Sequence, residues 1–402
     1  MLDDRLIMIN KIKEIVSSVK EEAIFNRRHL HRFPELSFQE YKTSQYIKST
    51  LQSYAIDFEE VANTGVLAKI VGKKSVSDNT VILRADMDAL PIHEENETDF
   101  TSRHNGVMHA CGHDFHTANL LATLKVLKQM DDDFSGVVIG IFQPAEEKIP
   151  GGALAVLASE KLPSSAQNVK GVIGLHVSPG LEMGKVGVRA GKFMASADEI
   201  YLTVKGKGGH GAQPHLNIDP VIISAQLMVS LQQVVSRFAN PAIPSVLSFG
   251  KVIANGATNV IPNEVYIEGT FRTMDESWRA QALQLIGKQI KELPEIYGAT
   301  AELEIRRGYP ALINDMELTS RISYSLKEYV SEDNFENLDI WMAAEDFAYY
   351  SQHYPSVFYF IGTGNVEKGI TSALHTPTFQ IDEEAFDHAI GGMVYSAMQL
   401  LS

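Results

Sequence analysis

Four short clusters bring together residue types that carry out hydrolytic chemistry. Arg84-Ala85-Asp86-Met87-Asp88-Ala89-Leu90-Pro91 follows a predicted strand, and His109-Ala110-Cys111-Gly112-His113-Asp114 opens a predicted helix. Gln143-Pro144-Ala145-Glu146-Glu147 lies just past a second strand, and Gly174-Leu175-His176-Val177 closes a third. A thiolate and an imidazole two residues apart, with Gly112 between them, can turn toward one metal ion, and Cys sulfur, His nitrogen and carboxylate oxygen are all regular Zn²⁺ ligands. The same pair also fits an inert buried thiol beside a helix-opening His-Asp pair. Adjacent acids after a strand point in different directions, so one of Glu146 and Glu147 can bind metal while the other acts as general base, the two roles a hydrolytic metal site needs. Two solvated loop acids are the competing reading. His176 ends an apolar strand, where a satisfied core histidine is common. His375, in Ala373-Leu374-His375-Thr376-Pro377, carries little by itself, and His104, His109 and His116 read as structural or supporting. The glycine-rich stretch from Lys205 to His215 lacks the terminal Lys-Ser/Thr of a phosphate-binding loop and the helix that should follow it, so it reads as a tight loop presenting His210.

These clusters need a scaffold, and hydrophobic periodicity supplies one. Helices are predicted at about 4–30, 39–53, 114–130, 152–161, 315–331 and 383–401, with strands at 66–71, 81–85, 137–142, 172–175 and 357–361. Strands separated by helices imply crossover units and a mostly parallel sheet flanked by helices. Ligand crevices in such sheets lie beyond the carboxyl ends of the strands, where three of the clusters fall, and the fourth opens a helix at the same level. The middle of the chain differs. Strand 200–204, helix 219–237, strands 245–253 and 264–272, helix 276–293 and strand 301–306 follow the β-α-β-β-α-β order of ferredoxin-like domains. The predicted division is 1–189 and 301–402 for an α/β catalytic domain, with 190–300 inserted.

In combination, RADMDALP, HACGHD, QPAEE, GLHV, GKGGHGAQPH, GATNVIPNE, GTFRT, AEDF and ALHTP resemble the dimetal aminoacylase–carboxypeptidase family, in order from about residue 25 to the C-terminus. The subgroup most resembled contains N-acyl-L-amino acid amidohydrolases, hippurate hydrolases, N-acetyldiaminopimelate deacetylases and auxin-conjugate hydrolases. The resemblance implies a dimetal exopeptidase-like catalytic domain and an inserted ferredoxin-like lid that pairs two copies into a homodimer. It implies two divalent ions per subunit (Zn²⁺ or Mn²⁺, with Co²⁺ or Ni²⁺ as alternatives), bridged by Cys111. His113 and His176 complete one site, and Glu147 and His375 the other. Glu146 is then the general base, and Asp88 orients the site from behind. His210 steadies the oxyanion, in the family from the neighbouring subunit, and Asn259 and Arg272 hold the substrate carboxylate. Asp86 stands where many relatives carry a metal-binding His and is not assigned as a ligand. The implied reaction is hydrolysis of the amide bond of an N-acyl amino acid, with a dipeptidase or carboxypeptidase as the alternative.

Composition narrows the remaining classes. The 402 residues carry a net charge of −15, which disfavours nucleic acid as a partner. A single cysteine, Cys111, rules out an intrachain disulfide and fits a reducing, cytoplasmic setting. The N-terminus reads as helical rather than as a signal peptide, and no uninterrupted apolar window suits a membrane span. A cysteine nucleophile built on Cys111 and His113 is the rival chemistry, to be separated by chelation. A non-catalytic binder has no use for Glu146.

Overall fold

The run from Thr80 to Asp86 is buried at every position, as befits a central strand covered on both faces. The computed structural model describes residues 2–163 and 168–402. Two compact units emerge: Met1–Gly191 with Ile313–Asp339 and Asp346–Ser402, and Lys192–Leu312 with Ile340–Glu345.

Among the described residues, the first unit is built on an eight-stranded sheet. Its order is Asp57–Val61, Gly65–Val71, Val137–Gln143, Thr80–Asp86, Val169–Glu182, Ser356–Gly364, Val186–Val188 and Phe335–Asn337. The four central strands from Val137–Gln143 to Ser356–Gly364 run parallel, while Asp57–Val61 and Gly65–Val71 form an antiparallel flank. Helices Leu2–Arg32, His113–Gln129 and Phe386–Leu401 pack on one another against this sheet. Helix His113–Gln129 is buried along most of its surface, so its N-terminus is fixed relative to the strand ends.

The third strand does not stop at Leu175 as the sequence suggested. It runs from Val169 to Glu182 because Ser356–Gly364 continues to pair with it, Phe360 standing opposite His176. On its other side the pairing with Thr80–Asp86 ends at Gly174. His176 is therefore mid-strand but just past the end of that pairing, where one edge opens.

The second unit carries a four-stranded antiparallel sheet among the described residues, ordered Ser245–Ile253, Glu264–Thr273, Asp198–Lys205 and Thr300–Arg307. With helices Pro220–Gln233 and Glu276–Ile296 this is the ferredoxin-like arrangement. The unit runs past residue 300 to Leu312, because Thr300–Arg307 pairs with Asp198–Lys205. Pro220–Gln233 begins on an Asp219 side chain that accepts the Val221 and Ile222 amides, and it ends in a π-helical turn at Val234–Phe238. Pro220–Phe238 is long and apolar enough on average to cross a membrane, although Ser, Gln and Arg interrupt it, and Ile223, Leu227 and Leu231 pack into the unit's own core.

Candidate metal centre

Gly112 makes the entry to the site. Its φ of +85° lies in the left-handed region, and a Cβ there would stand 2.4 Å from Val177 Cγ2. Glycine meets both demands, and the chain turns so that Cys111 ends the loop and His113 begins the helix. Glu146 and Glu147 follow a second left-handed residue, Ala145, with φ +53°. His375, with φ +60°, is tied in through its amide, which donates to the Ala110 carbonyl at 2.8 Å.

The residues singled out by sequence in the first unit converge. Donor atoms of Cys111, His113 and His176 lie within 4.8 Å of one another, and so do those of Cys111, Glu147 and His375. Cys111 thus belongs to both triads, its Sγ lying 3.4 Å from His176 Nε2 and 3.2 Å from His375 Nε2. Glu147 Oε1 is 3.2 Å from His375 Nε2 and 3.9 Å from His113 Nε2. Glu146 joins His113 and Glu147 in a third such group. His375 is half exposed, whereas Cys111, His113, Glu146 and His176 are buried.

Hydrogen bonds behind the two buried imidazoles fix which nitrogen faces inward. His176 Nδ1 donates to the Val177 carbonyl at 2.7 Å, which leaves Nε2 as a lone pair toward Cys111. His113 Nδ1 bonds Asp88 Oδ1 at 3.1 Å, and its buried Nε2 has no hydrogen-bond partner. Glu147 Oε1 is also buried and without an aligned hydrogen bond, its nearest imidazole nitrogen being His375 Nε2 at 3.2 Å. Two polar atoms abandoned in this way are costly unless something cationic sits between them. Together with a thiol, imidazoles and carboxylates, they fit divalent metal. Asp88 orients more than the imidazole: its Oδ2 accepts from Ser37 Oγ at 2.6 Å and from the Glu147 amide at 3.0 Å.

Electrostatics argue against Cys111 as a free nucleophile. Burial pushes its thiol well above the usual range, and Glu147, Glu146 and Asp86 push it further. Without a cation the sulfur stays protonated. For His113, burial lowers basicity, but Asp86, Asp88 and Glu147 outweigh it and raise the imidazole to about 10. His176, desolvated and facing His116, is pushed well below its ordinary value and stays neutral.

Asp86 and His116 also group with His113, but both are already engaged. His116 Nδ1 donates to Asp86 Oδ1 at 2.6 Å, and its Nε2 accepts from the Val177 amide at 2.9 Å. Arg84 Nη1 donates to Asp86 Oδ2 at 2.6 Å. His104 is tied to the Pro34 carbonyl at 2.7 Å. His109 is buried with neither ring nitrogen hydrogen-bonded, and burial lowers it to about 4.

Sequence reasoning passed over a buried network beneath Glu146. Arg84 also donates to Gln143 Oε1 at 3.0 Å and Asp346 Oδ1 at 2.7 Å, and the Asp346 amide donates to Glu146 Oε1 at 3.4 Å. The available signal was an arginine inside an otherwise apolar strand. His210, Asn259 and Arg272 all belong to the second unit. There His210 pairs with Val260, the Asn259 carbonyl accepts from the Gly211 amide at 2.8 Å, and Arg272 Nη1 donates to the Met342 carbonyl at 3.2 Å.

Comparison with known proteins identifies the family. Residues 82–399 match the pattern of Peptidase family M20/M25/M40. The chain belongs to that family. An N-acyl-L-amino acid amidohydrolase of Geobacillus stearothermophilus is 45% identical over 305 residues, covering 76% of this chain and 81% of the relative. An N-acetyl-L-cysteine deacetylase of Bacillus subtilis is 38% identical over 389 residues, covering 96% and 90%. The crystal structure of a dinuclear metal-binding M20 peptidase from Bacillus subtilis superposes with a TM-score of 0.79 at 33% identity, covering 96% of this chain and 99% of that one. This M20 member is accordingly a hydrolase of amide bonds.

Proposed function

We propose that this enzyme hydrolyses the amide bond of N-acyl-L-amino acids of the N-acetyl or N-benzoyl type, releasing a carboxylic acid and a free amino acid. The observation that carries the reading is the sharing of Cys111 between two donor triads, with His113 Nε2 and Glu147 Oε1 left bare between them. Cys111, His113 and His176 would hold one divalent ion, and Cys111, Glu147 and His375 the other, Zn²⁺ or Mn²⁺ suiting this mixed set and Co²⁺ or Ni²⁺ fitting it as well. When bound, such ions polarise the scissile carbonyl and acidify water. Glu146 accepts a proton as water oxygen bonds to the carbonyl carbon, and returns it to the amide nitrogen as the carbon–nitrogen bond breaks. Asp88 keeps His113 and the Glu147 backbone in register throughout. In this reading the second unit acts as a lid: His210 steadies the oxyanion, and Asn259 and Arg272 take the substrate carboxylate, for which a planar guanidinium fork is suited. The relatives' names support the acyl-amino-acid substrate. The setting is cytoplasmic, in keeping with a single cysteine, and the assembly a homodimer, as the exposed apolar face of helix Pro220–Gln233 favours.

A hydrolysis panel of N-acetyl amino acids, N-benzoyl amino acids and dipeptides, run with each metal added back after chelation, tests the assignment. The N-acyl amino acids should give the higher kcat/KM. Preference for dipeptides would move the enzyme to the dipeptidase or carboxypeptidase reading.

A further inference from the structure

Besides His375, Phe38 and Ala145 near the site hold left-handed backbone without being glycine, at φ +66° and +53°. Residues with a Cβ occupy that region only when their surroundings impose it. Both amides converge on one atom. Glu40 Oε1 accepts from the Phe38 amide at 2.9 Å and from the Ala145 amide at 2.8 Å. Glu40 Oε2 accepts from Thr64 Oγ1 at 2.8 Å, and the residue is fully buried. A buried carboxylate taking two main-chain amides is a strong, directional anchor. Ala145 is also the residue immediately before Glu146 and Glu147. Glu147 is held at its backbone, since its amide donates to Asp88 Oδ2 at 3.0 Å, while the Glu146 side chain accepts from the Asp346 amide at 3.4 Å.

We infer that Glu40 is a positioning residue for the base turn: it holds Ala145 in the left-handed conformation that aims Glu146. This rests on the reading of Glu146 as general base. The chemistry of the clamp makes a sharp distinction between substitutions. Glutamine keeps the one oxygen that both amides need, and its amide nitrogen can donate to the Thr64 hydroxyl, which accepts as readily as it donates. Alanine strands both amides, and aspartate falls one methylene short.

The test compares Glu40→Ala and Glu40→Gln in the metal-loaded enzyme, alone and combined with Glu146→Gln, with bound metal and amide hydrogen exchange measured alongside kinetics. Glu40→Ala should lower kcat by about 10–100-fold, the usual range for groups that orient a metal site, with KM nearly unchanged. Bound metal should stay at the wild-type level because Glu147 keeps its Asp88 anchor. The Ala145 amide should exchange faster in the metal-free Glu40→Ala chain and at the wild-type rate in Glu40→Gln. Glu40→Gln should keep kcat within about threefold of wild type, since its hydrogen bonds survive. In the Glu146→Gln background, Glu40→Ala should cost nothing more. If Glu40→Ala does not fold, Glu40→Asp takes its place with the same expectations. An unchanged kcat in Glu40→Ala, equal damage from Glu40→Gln, or a full additional loss on top of Glu146→Gln each overturns the clamp. A fully active Glu146→Gln enzyme overturns the base assignment instead.

Discussion

His113 presents a bare Nε2 because Asp88 occupies its Nδ1, and that one contact explains much of the site's behaviour. In the metal-free chain the imidazole, raised to about 10 from 6.5 against the pull of burial, carries a proton at neutral pH. A folded value above the unfolded one adds stability that is complete below the unfolded value and disappears as pH rises through the folded one. The metal-free protein should therefore lose stability as pH climbs from about 7 toward 10, and the loss should be shallower in His113→Gln. Urea midpoints of both chains across that range check this, and parallel curves would remove His113 as the source. At this scale the sequence was informative where chemistry-bearing types sit close together: Cys111 with His113, and Glu146 with Glu147. His176 and His375 became meaningful only through the whole set of motifs. Glu40 and Ser37 gave no such signal, because a buried polar residue that acts through hydrogen bonds to main-chain amides or other side chains has no spacing rule to betray it; Arg84 stood out only as a charge inside an apolar strand.

Elements turn these residues into a site by bringing strand ends and one helix start to the same level. The principal strands were legible because their β-branched runs are buried, as in Thr80–Asp86. Asp57–Val61 was not, since four of its five residues are exposed on the antiparallel flank and its Asp-Phe-Glu-Glu-Val sequence shows no apolar run. Val186–Val188 and Phe335–Asn337 are three residues each, too short for any periodicity. The overlong third strand escaped notice because its extension depends on a partner almost two hundred residues downstream. The helix start that carries Cys111 and His113 depends on Gly112. Gly112→Ala should destabilise the protein by roughly 1–3 kcal/mol, from left-handed strain together with the Val177 clash. Chemical denaturation measures the loss, and an unchanged midpoint would mean the turn tolerates a side chain.

For the whole molecule, the proposed homodimer would join through the second unit. Ile222 and Val229 on helix Pro220–Gln233 are exposed, and only 28% of the apolar Pro220–Phe238 window is buried. The neighbouring strand Ser245–Ile253 is an edge strand with Val246, Val252 and Ile253 exposed. Sedimentation should show twice the 44.4 kDa chain mass for wild type and a monomer for an Ile222→Glu, Val229→Glu double variant. A monomeric wild type would instead make the lid act within its own chain. The ferredoxin-like order of this unit was legible from its alternation of helices and strands, while its extension past residue 300 was not, because the pairing of Thr300–Arg307 with Asp198–Lys205 carries it there. The proposed chemistry needs a pair of metal ions, which Cys111, His113, His176, Glu147 and His375 would hold. Metal-stripped enzyme should be titrated with Zn²⁺ or Mn²⁺ while bound metal and hydrolysis of an N-acetyl amino acid are followed together, for wild type and Cys111→Ala. The account predicts negligible turnover without metal, full activity at about two ions per chain, and lower occupancy and activity together in Cys111→Ala. Turnover that survives exhaustive chelation but is abolished by thiol alkylation would contradict it.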